Sequence, residues 1–296
     1  MLAPPCYRGV LWPMTRSTDI SPLSVLLSRV DAVSDGAPPR DTIACGFPSV
    51  DKSLGGGFRR GDLIVLGGDV GSGKSALALA FAIRSSLRGT RVAFLTSETV
   101  VERVLERMIA IEARTTIDDL RQGTLDEVTR ANAGSVALRL REHLPIVERI
   151  SGAGTNAIAA LIEELPTVDL VVVDSLGALT PGIREADEEL AAEVRRLKDL
   201  AIDRDISVLA TAALPGLVER DDRRPTLDDF GALGSVKQVA DVVLGLFRQD
   251  MYEPARDIVG ATELVIRKNR NGPIGYVDLY FYAKWMRFED MLDPDR

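Results

Sequence analysis

LIVLGGDVGSGKSALALAFAI, residues 63–83, passes from an apolar segment into glycines, then a lysine, then a helix-forming series. Gly68, Gly73, Lys74 and Ser75 within it fit the spacing G-x-x-x-x-G-K-[ST] of a phosphate-cradling loop. Gly68, Gly71 and Gly73 let the backbone curl with its N–H groups inward around an anion, with no side chain in the way. Asp69, Val70 and Ser72 are the other residues of that loop. Lys74 then reaches the β and γ phosphates, Ser75 ligands Mg²⁺, and the helix opening there aims the positive end of its dipole at the charge. A glycine-rich turn that binds nothing has a similar composition. Strand character before the loop and helix character after it favour a nucleotide site.

Around this stretch the chain is ordinary in composition: 296 residues, 46% hydrophobic and 27% charged, the balance of a folded water-soluble protein. No apolar run approaches the ~20 residues of a membrane span, and no basic segment followed by a sustained apolar core opens the chain. A cytoplasmic protein without a membrane partner is the expectation. Cys6 and Cys45 fall outside any metal-ligand spacing and His143 is the single histidine, so zinc clusters and histidine triads lack their parts. Chemistry must come from carboxylates, lysine, arginine and a bound metal. A net charge of −8 argues against broad attraction to nucleic acid but leaves room for a local basic groove.

Prolines at 4, 5, 13, 22, 38 and 39 mark residues 1–40 as an arm or linker, distinct from a domain over 41–296. One short helix is expected there: in SPLSVLLSRVDAV, Leu23, Leu26, Leu27 and Val30 recur at helical spacing behind Ser21 as a cap and Pro22 at the first helical position. Such a helix either lies on its own domain or docks on a neighbouring subunit. Met14 opens a second plausible start, MTRSTDIS.

From Ile43 onward short valine- and leucine-rich runs alternate with helical stretches, the pattern of a mostly parallel α/β sheet flanked by helices. Strands are expected at 63–68, 91–97, 144–150, 169–175, 206–212 and 240–247. TELVIRKN and GYVDLYFYAKW, separated by RNGP, alternate in polarity and read as a C-terminal antiparallel hairpin at the sheet edge. The clearest helix is 187–203, with Leu190, Val194, Leu197 and Ala201 on one stripe.

Two carboxylates follow buried strands. VVVD, 171–174, ends in Asp174, placed to hold Mg²⁺ from a rigid platform. FLTSE ends in Glu98, whose carboxylate either polarises a water for in-line attack or simply begins the next helix, where an acid suits the dipole.

These residues together resemble the RecA-like ATPase domain of hexameric replicative DNA helicases of the DnaB type. The similarity covers most of 41–292: GFPSVDKSLGGGFRRGDLIVL, TSE, VVVDSL, GSVKQVADVVLGLFR, and above all the closing KNRNGPIGYVDLYFYAKWMRFED. It implies a RecA-like P-loop core, ATP and Mg²⁺ as ligands, Asp174 acting on the metal and Glu98 as the residue that activates water. It also implies a homo-oligomer, a hexameric ring in the family, in which Lys268 and Arg270 reach the nucleotide of the adjacent subunit. Single-stranded DNA, and helicase or primase proteins, are the implied partners.

Three departures qualify the likeness. About forty residues precede the matching region, so the family's N-terminal collar domain is not expected. At the serine and glutamine that sense the γ-phosphate in the family, this chain has Ala212 and Ala213, which cannot hydrogen-bond a phosphate. The loops expected to face a central channel, GIREADEELAAE with Arg184 and ERDDRRPTLDD with Arg220, Arg223 and Arg224, are rich in carboxylates where a strand-tracking channel needs cations. The expectation is therefore an ATP-hydrolysing, helicase-like ring protein acting in replication or repair. A RecA-like regulatory or recombination-mediator ATPase and a non-hydrolysing assembly module are the alternatives.

Overall fold

The computed structural model describes residues 22–36, 41–150, 154–180, 186–214, 217, 220–253 and 258–291. Two units make up the chain, residues 1–40 and 41–296. Within the first, α1 spans Pro22–Ser34 and begins with the proline at its first position, where a missing N–H costs nothing. Ser21, the expected cap, and Met1, Cys6 and Met14 lie outside the described residues.

In the second unit the elements run β1 (Thr42–Ile43), α2 (Pro48–Ser53), β2 (Phe58–Arg59), β3 (Leu63–Gly68), α3 (Lys74–Ser86), β4 (Val92–Thr96), α4 (Val101–Ala113), α5 (Ile117–Gln122), α6 (Glu127–Glu142) and β5 (Ile146–Arg149). They continue with α7 (Gly154–Glu164), β6 (Leu170–Asp174), α8 (Ala186–Asp203), β7 (Ser207–Ala213), α9 (Ser235–Val239), β8 (Val242–Arg248), β9 (Ala261–Asn269), β10 (Gly275–Tyr282) and β11 (Arg287–Asp290). No helix among the described residues is long and apolar enough to cross a membrane.

Among the described residues nine strands form one sheet in the order β11-β10-β9-β8-β3-β7-β6-β4-β5. β8, β3, β7, β6, β4 and β5 are mutually parallel, and β9, β10 and β11 extend the sheet in antiparallel fashion. This is the α/β architecture that the alternating runs predict, with the hairpin formed by β9 and β10. One expectation needs correction: the hairpin is not the margin of the sheet. GYVDLYFYAKW is extended only to Tyr282, a turn follows, and β11 supplies the outer strand. Four residues of β11 carry too short a pattern to announce a strand on their own.

Alternation along the central strands divides the core in two. Ile64, Leu66, Phe94, Val172, Leu209 and Leu244 face the layer of α3, α4 and α6. Leu63, Val65, Leu95, Val173, Ala210 and Val243 face the layer of α7, α8 and α9. The helix expected over 187–203 is α8, so residues 186–193 of GIREADEELAAE, read also as part of a channel-facing loop, form its first turns. Asp187, Glu188 and Glu189 occupy its first turn, where the helix dipole favours acids. Glu193 is buried and accepts the Thr155 N–H at 2.6 Å. Residues 181–185, including Arg184, lie outside the described residues.

At the N-terminal edge of the parallel strands two aspartates tie neighbouring elements together. Asp241, before β8, accepts the Leu63 N–H at 2.8 Å and the Lys198 ammonium at 2.6 Å. Asp169, before β6, accepts from the Arg91 backbone N–H and guanidinium and from Arg60 at 2.6 Å. Burial alone would raise the Asp169 carboxyl, but the hydrogen bonds from Arg91 and Arg60 outweigh it and hold the group well below the usual carboxylate range. A depressed folded-state value means stabilisation that is present above the unfolded value of about 4 and lost as pH falls towards the folded one. The Arg91 and Arg60 side chains are partly solvated, so Asp169→Asn is expected to cost about 1–2 kcal/mol at neutral pH. Urea unfolding of both proteins checks this, and the difference between them is expected to shrink below about pH 4.

Candidate functional site

Gly68 ends β3, and the chain then curls through Asp69, Val70, Gly71 and Ser72 into α3 at Lys74. Gly73 caps that helix at φ 101°, a left-handed turn that only glycine adopts freely, and a Cβ there would lie 2.9 Å from Phe288 Cζ. Phe288 is fully buried and packs against Phe281 with ring centroids 4.5 Å apart, so the terminal strands support the loop from below.

Parallel strands carry their C-terminal ends to the same edge as this loop. Asp174 ends β6, and Glu98 lies two residues beyond β4. The Ser75 hydroxyl donates to Asp174 Oδ1 at 2.9 Å. Lys74 Nζ donates to the Asp69 carbonyl at 2.7 Å, the position of a lysine folded back over its own loop. Burial pushes the Lys74 ammonium below its usual value, and the charges of Asp174, Asp69 and Glu98 oppose that shift. Lys74, Ser75, Glu98 and Asp174 all line one cleft of about 380 Å³, with Gly71 and Gly73.

Lys268 and Arg270 are not part of this cleft. β9 runs antiparallel to β8, with Lys268 opposite Val243 and Asn269 opposite Val242, so its end lies at the other edge of the sheet. The length of β3, Leu63–Gly68, separates the two edges by roughly 16 Å. Here Lys268 Nζ donates to the carbonyls of Lys237 at 2.8 Å and Gln238 at 3.1 Å. Arg270 donates to the Gln238 carbonyl at 2.7 Å and to Asp241 Oδ1 at 2.9 Å.

The loop arginines are largely committed within the chain. Arg220 pairs with both oxygens of Asp229, at 3.0 and 2.9 Å. Arg224 pairs with both oxygens of Glu263, at 2.6 and 2.7 Å. The Arg223 guanidinium lies 4.8 Å over the Tyr252 ring.

Three residues were not among the sequence candidates. Arg107 lines the cleft from α4; it follows Glu98 by nine residues on a helix, a relation visible only once the helix is placed. The Tyr252 hydroxyl donates to Asp69 Oδ2 at 2.9 Å across 183 positions of sequence. Thr211, in β7, donates to Asp174 Oδ1 at 2.6 Å. Ala212 packs in the core on the opposite face, so of the two alanines only Ala213 shares the face of Thr211.

The site fits a magnesium nucleotide. Ser72 Oγ is buried in the loop and has no hydrogen-bond partner, an orphan suited to a bound anion. Among the described residues no three His, Cys, Asp or Glu side chains converge as a self-sufficient metal cage. A hydroxyl and one carboxylate, completed by phosphate oxygens and water, is the donor set magnesium takes in such sites.

Comparison with known proteins places this geometry among relatives. Residues 42–290 match the family described as "DnaB-like helicase C terminal domain". Over 257 residues the chain is 28% identical to "Replicative DNA helicase DnaC" of Bacillus subtilis, covering 84% of this chain and 56% of that protein. Over 282 residues it is 27% identical to "Replicative DNA helicase DnaB" of Leifsonia xyli, covering 91% and 60%. The chain thus spans less than two thirds of the length of these relatives. In fold it is similar to a separately solved ATPase domain, with TM-score 0.82, 23% identity, and coverage of 93% of this chain and 100% of that one. A DnaB-like replicative helicase, solved in a study that includes its interactions with primase, aligns with TM-score 0.81, 22% identity, and coverage of 93% and 68%.

Gly73→Ala introduces both a strained φ and a collision with Phe288. It is expected to lower nucleotide affinity at least tenfold and to cost about 1–3 kcal/mol of stability. Titration with a fluorescent ATP analogue and urea unfolding measure the two effects. Unchanged affinity would show that the left-handed turn is not needed for binding.

Proposed function

This chain belongs to the family of DnaB-like helicase C-terminal domains, and from that premise we propose an oligomeric ATPase that hydrolyses ATP in the cleft of Lys74 and Asp174 and acts on single-stranded DNA. The observation that carries the proposal is the convergence of Lys74, Ser75, Glu98 and Asp174 from three separate segments on one cleft.

Each residue has a definite task. Loop N–H groups and Lys74 hold the β and γ phosphates, and Lys74 exchanges the Asp69 carbonyl for phosphate oxygen as nucleotide enters. Ser75 and Asp174 would hold Mg²⁺, which supplies charge to offset that gathering on the phosphate oxygens. Glu98, exposed at the mouth of the cleft, orients the attacking water. Lys268 and Arg270 serve the nucleotide of an adjacent copy; their place at the far edge of the sheet supports this, because it puts them out of reach of their own loop. Cations delivered in trans make hydrolysis depend on assembly, a ring of six in the family's helicases. Proteins of the helicase or primase kind are the corresponding partners.

A second reading, a regulatory or recombination-mediator ATPase without strand separation, is favoured by one set of contacts. Arg220 and Arg224 are bound bidentately by Asp229 and Glu263, and Ala213 presents no polar group on the site face of β7. Cations already paired within the chain are poorly placed to neutralise a DNA backbone.

Glu98→Gln is expected to bind ATP normally and to hydrolyse it at least a hundredfold more slowly; wild-type turnover in single-turnover assays would assign the water to another residue. Steady-state hydrolysis across protein concentrations, with and without single-stranded DNA, separates the two readings. Turnover that rises with both supports a DNA-tracking ring, whereas turnover that rises with concentration and ignores DNA favours the regulatory ATPase. Arg270→Ala is expected to lose activity and regain part of it on mixing with Lys74→Ala, because mixed interfaces pair the intact half of each. Absence of recovery at every mixing ratio, with both variants folded, speaks against the trans role.

A further inference from the structure

β7 and β6 run parallel in register, Val173 beside Ala210, so Asp174 and Thr211 are the next pair along. Val172 and Leu209, two residues earlier on each strand, belong to the α3 layer, and the alternation of side chains puts Asp174 and Thr211 on that same face. Thr211 is 1% exposed. Its hydroxyl donates to Asp174 Oδ1 at 2.6 Å, and the same oxygen accepts the Ser75 hydroxyl at 2.9 Å. In VLATAAL, residues 208–214, Thr211 is the one side chain able to form a hydrogen bond.

We propose that Thr211 is a positioning residue that fixes the Asp174 carboxylate so that Ser75 and Asp174 together receive the magnesium of a bound nucleotide. The inference rests on the nucleotide-site reading above and adds to it a residue that acts through Asp174.

The physical case lies in what Asp174 would do with one anchor fewer. A carboxylate at a strand end rotates about two side-chain bonds, and its competing partner is the Lys74 ammonium, which is partly buried and feels Asp174 as its foremost attractive charge. Swinging to Lys74 would withdraw the metal ligand and the phosphate cation in one movement. The Thr211 hydroxyl opposes this by holding Oδ1 on the side of Ser75. Ser75, with its hydrogen committed to Oδ1, keeps a lone pair for the metal. Threonine suits the task because its branched Cβ narrows the rotamer choice in a strand.

Removing the hydroxyl while keeping the shape isolates this role. Binding of a fluorescent ATP analogue is titrated with Mg²⁺, and also in EDTA, for wild type, Thr211→Val, Thr211→Ala and Thr211→Ser. Val and Ala are expected to need roughly tenfold more Mg²⁺ for half-maximal binding, with binding in EDTA unchanged and Ser close to wild type. A Val variant with the wild-type Mg²⁺ requirement, an equal loss with and without Mg²⁺, or a Ser variant that behaves like Val would overturn the inference alone. Should Val not fold, the comparison of Ala with Ser decides in the same terms. A wild-type protein whose nucleotide binding ignores Mg²⁺ would overturn the nucleotide-site reading, and this inference with it.

Discussion

Parallel pairing of six strands constrains this molecule more than any other interaction. Each strand that runs in the same direction as β3 must end at the edge where β3 releases the phosphate loop. β4 therefore brings Glu98 near that edge, β6 brings Asp174, and β7 brings Thr211, although 99 positions of sequence separate Ser75 from Asp174 and a further 37 separate Asp174 from Thr211. The antiparallel turn of β9 reverses the logic and leaves Lys268 and Arg270 at the opposite edge. Chain direction alone thus sorts the cations, with Lys74 at the edge of the loop and Lys268 and Arg270 at the opposite one.

The loop itself is held from two directions. Phe288 closes under Gly73, and Arg84 ties the same strand to α3 by donating to the Phe288 carbonyl at 2.9 Å while lying 3.9 Å over the Phe47 ring. From the other direction the Tyr252 hydroxyl holds Asp69 and its ring lies against Phe247 with centroids 5.9 Å apart. Arg223 and Arg224 cover those two rings, so the arginine segment and the phosphate loop share one aromatic pair. Internal contacts of this kind engage much of the charge in this acidic chain. Asp169, Asp241, Glu193 and Glu289 each take an arginine or lysine, and those cations serve the fold before they can serve a nucleic acid.

Much of the architecture is legible in the chain because local pattern and tertiary role agree. LIVLGG, VVVD and ISVLATA are apolar with little interruption because both faces of their strands are covered, which marks them as central and parallel. β11 and the short β1–β2 pair are not legible there because two to four residues carry no period. The helix expected from 187 is legible for the same reason: its apolar stripe sets the period, and the acids at 187–189 suit the positive end of α8.

Sequence by itself determined the phosphate loop, the strands that lead to Asp174 and Glu98 and the family to which they point, because each depends on neighbours within a few residues: glycines where the backbone must curl, apolar runs where it must be buried. Only the tertiary structure decided that Thr211, and not Ala212, faces Asp174, that Tyr252 reaches Asp69, and that Lys268 and Arg270 lie a strand's length from their own loop. Those relations follow from strand order, direction and register, which hydrogen bonding between distant segments sets and no single segment encodes.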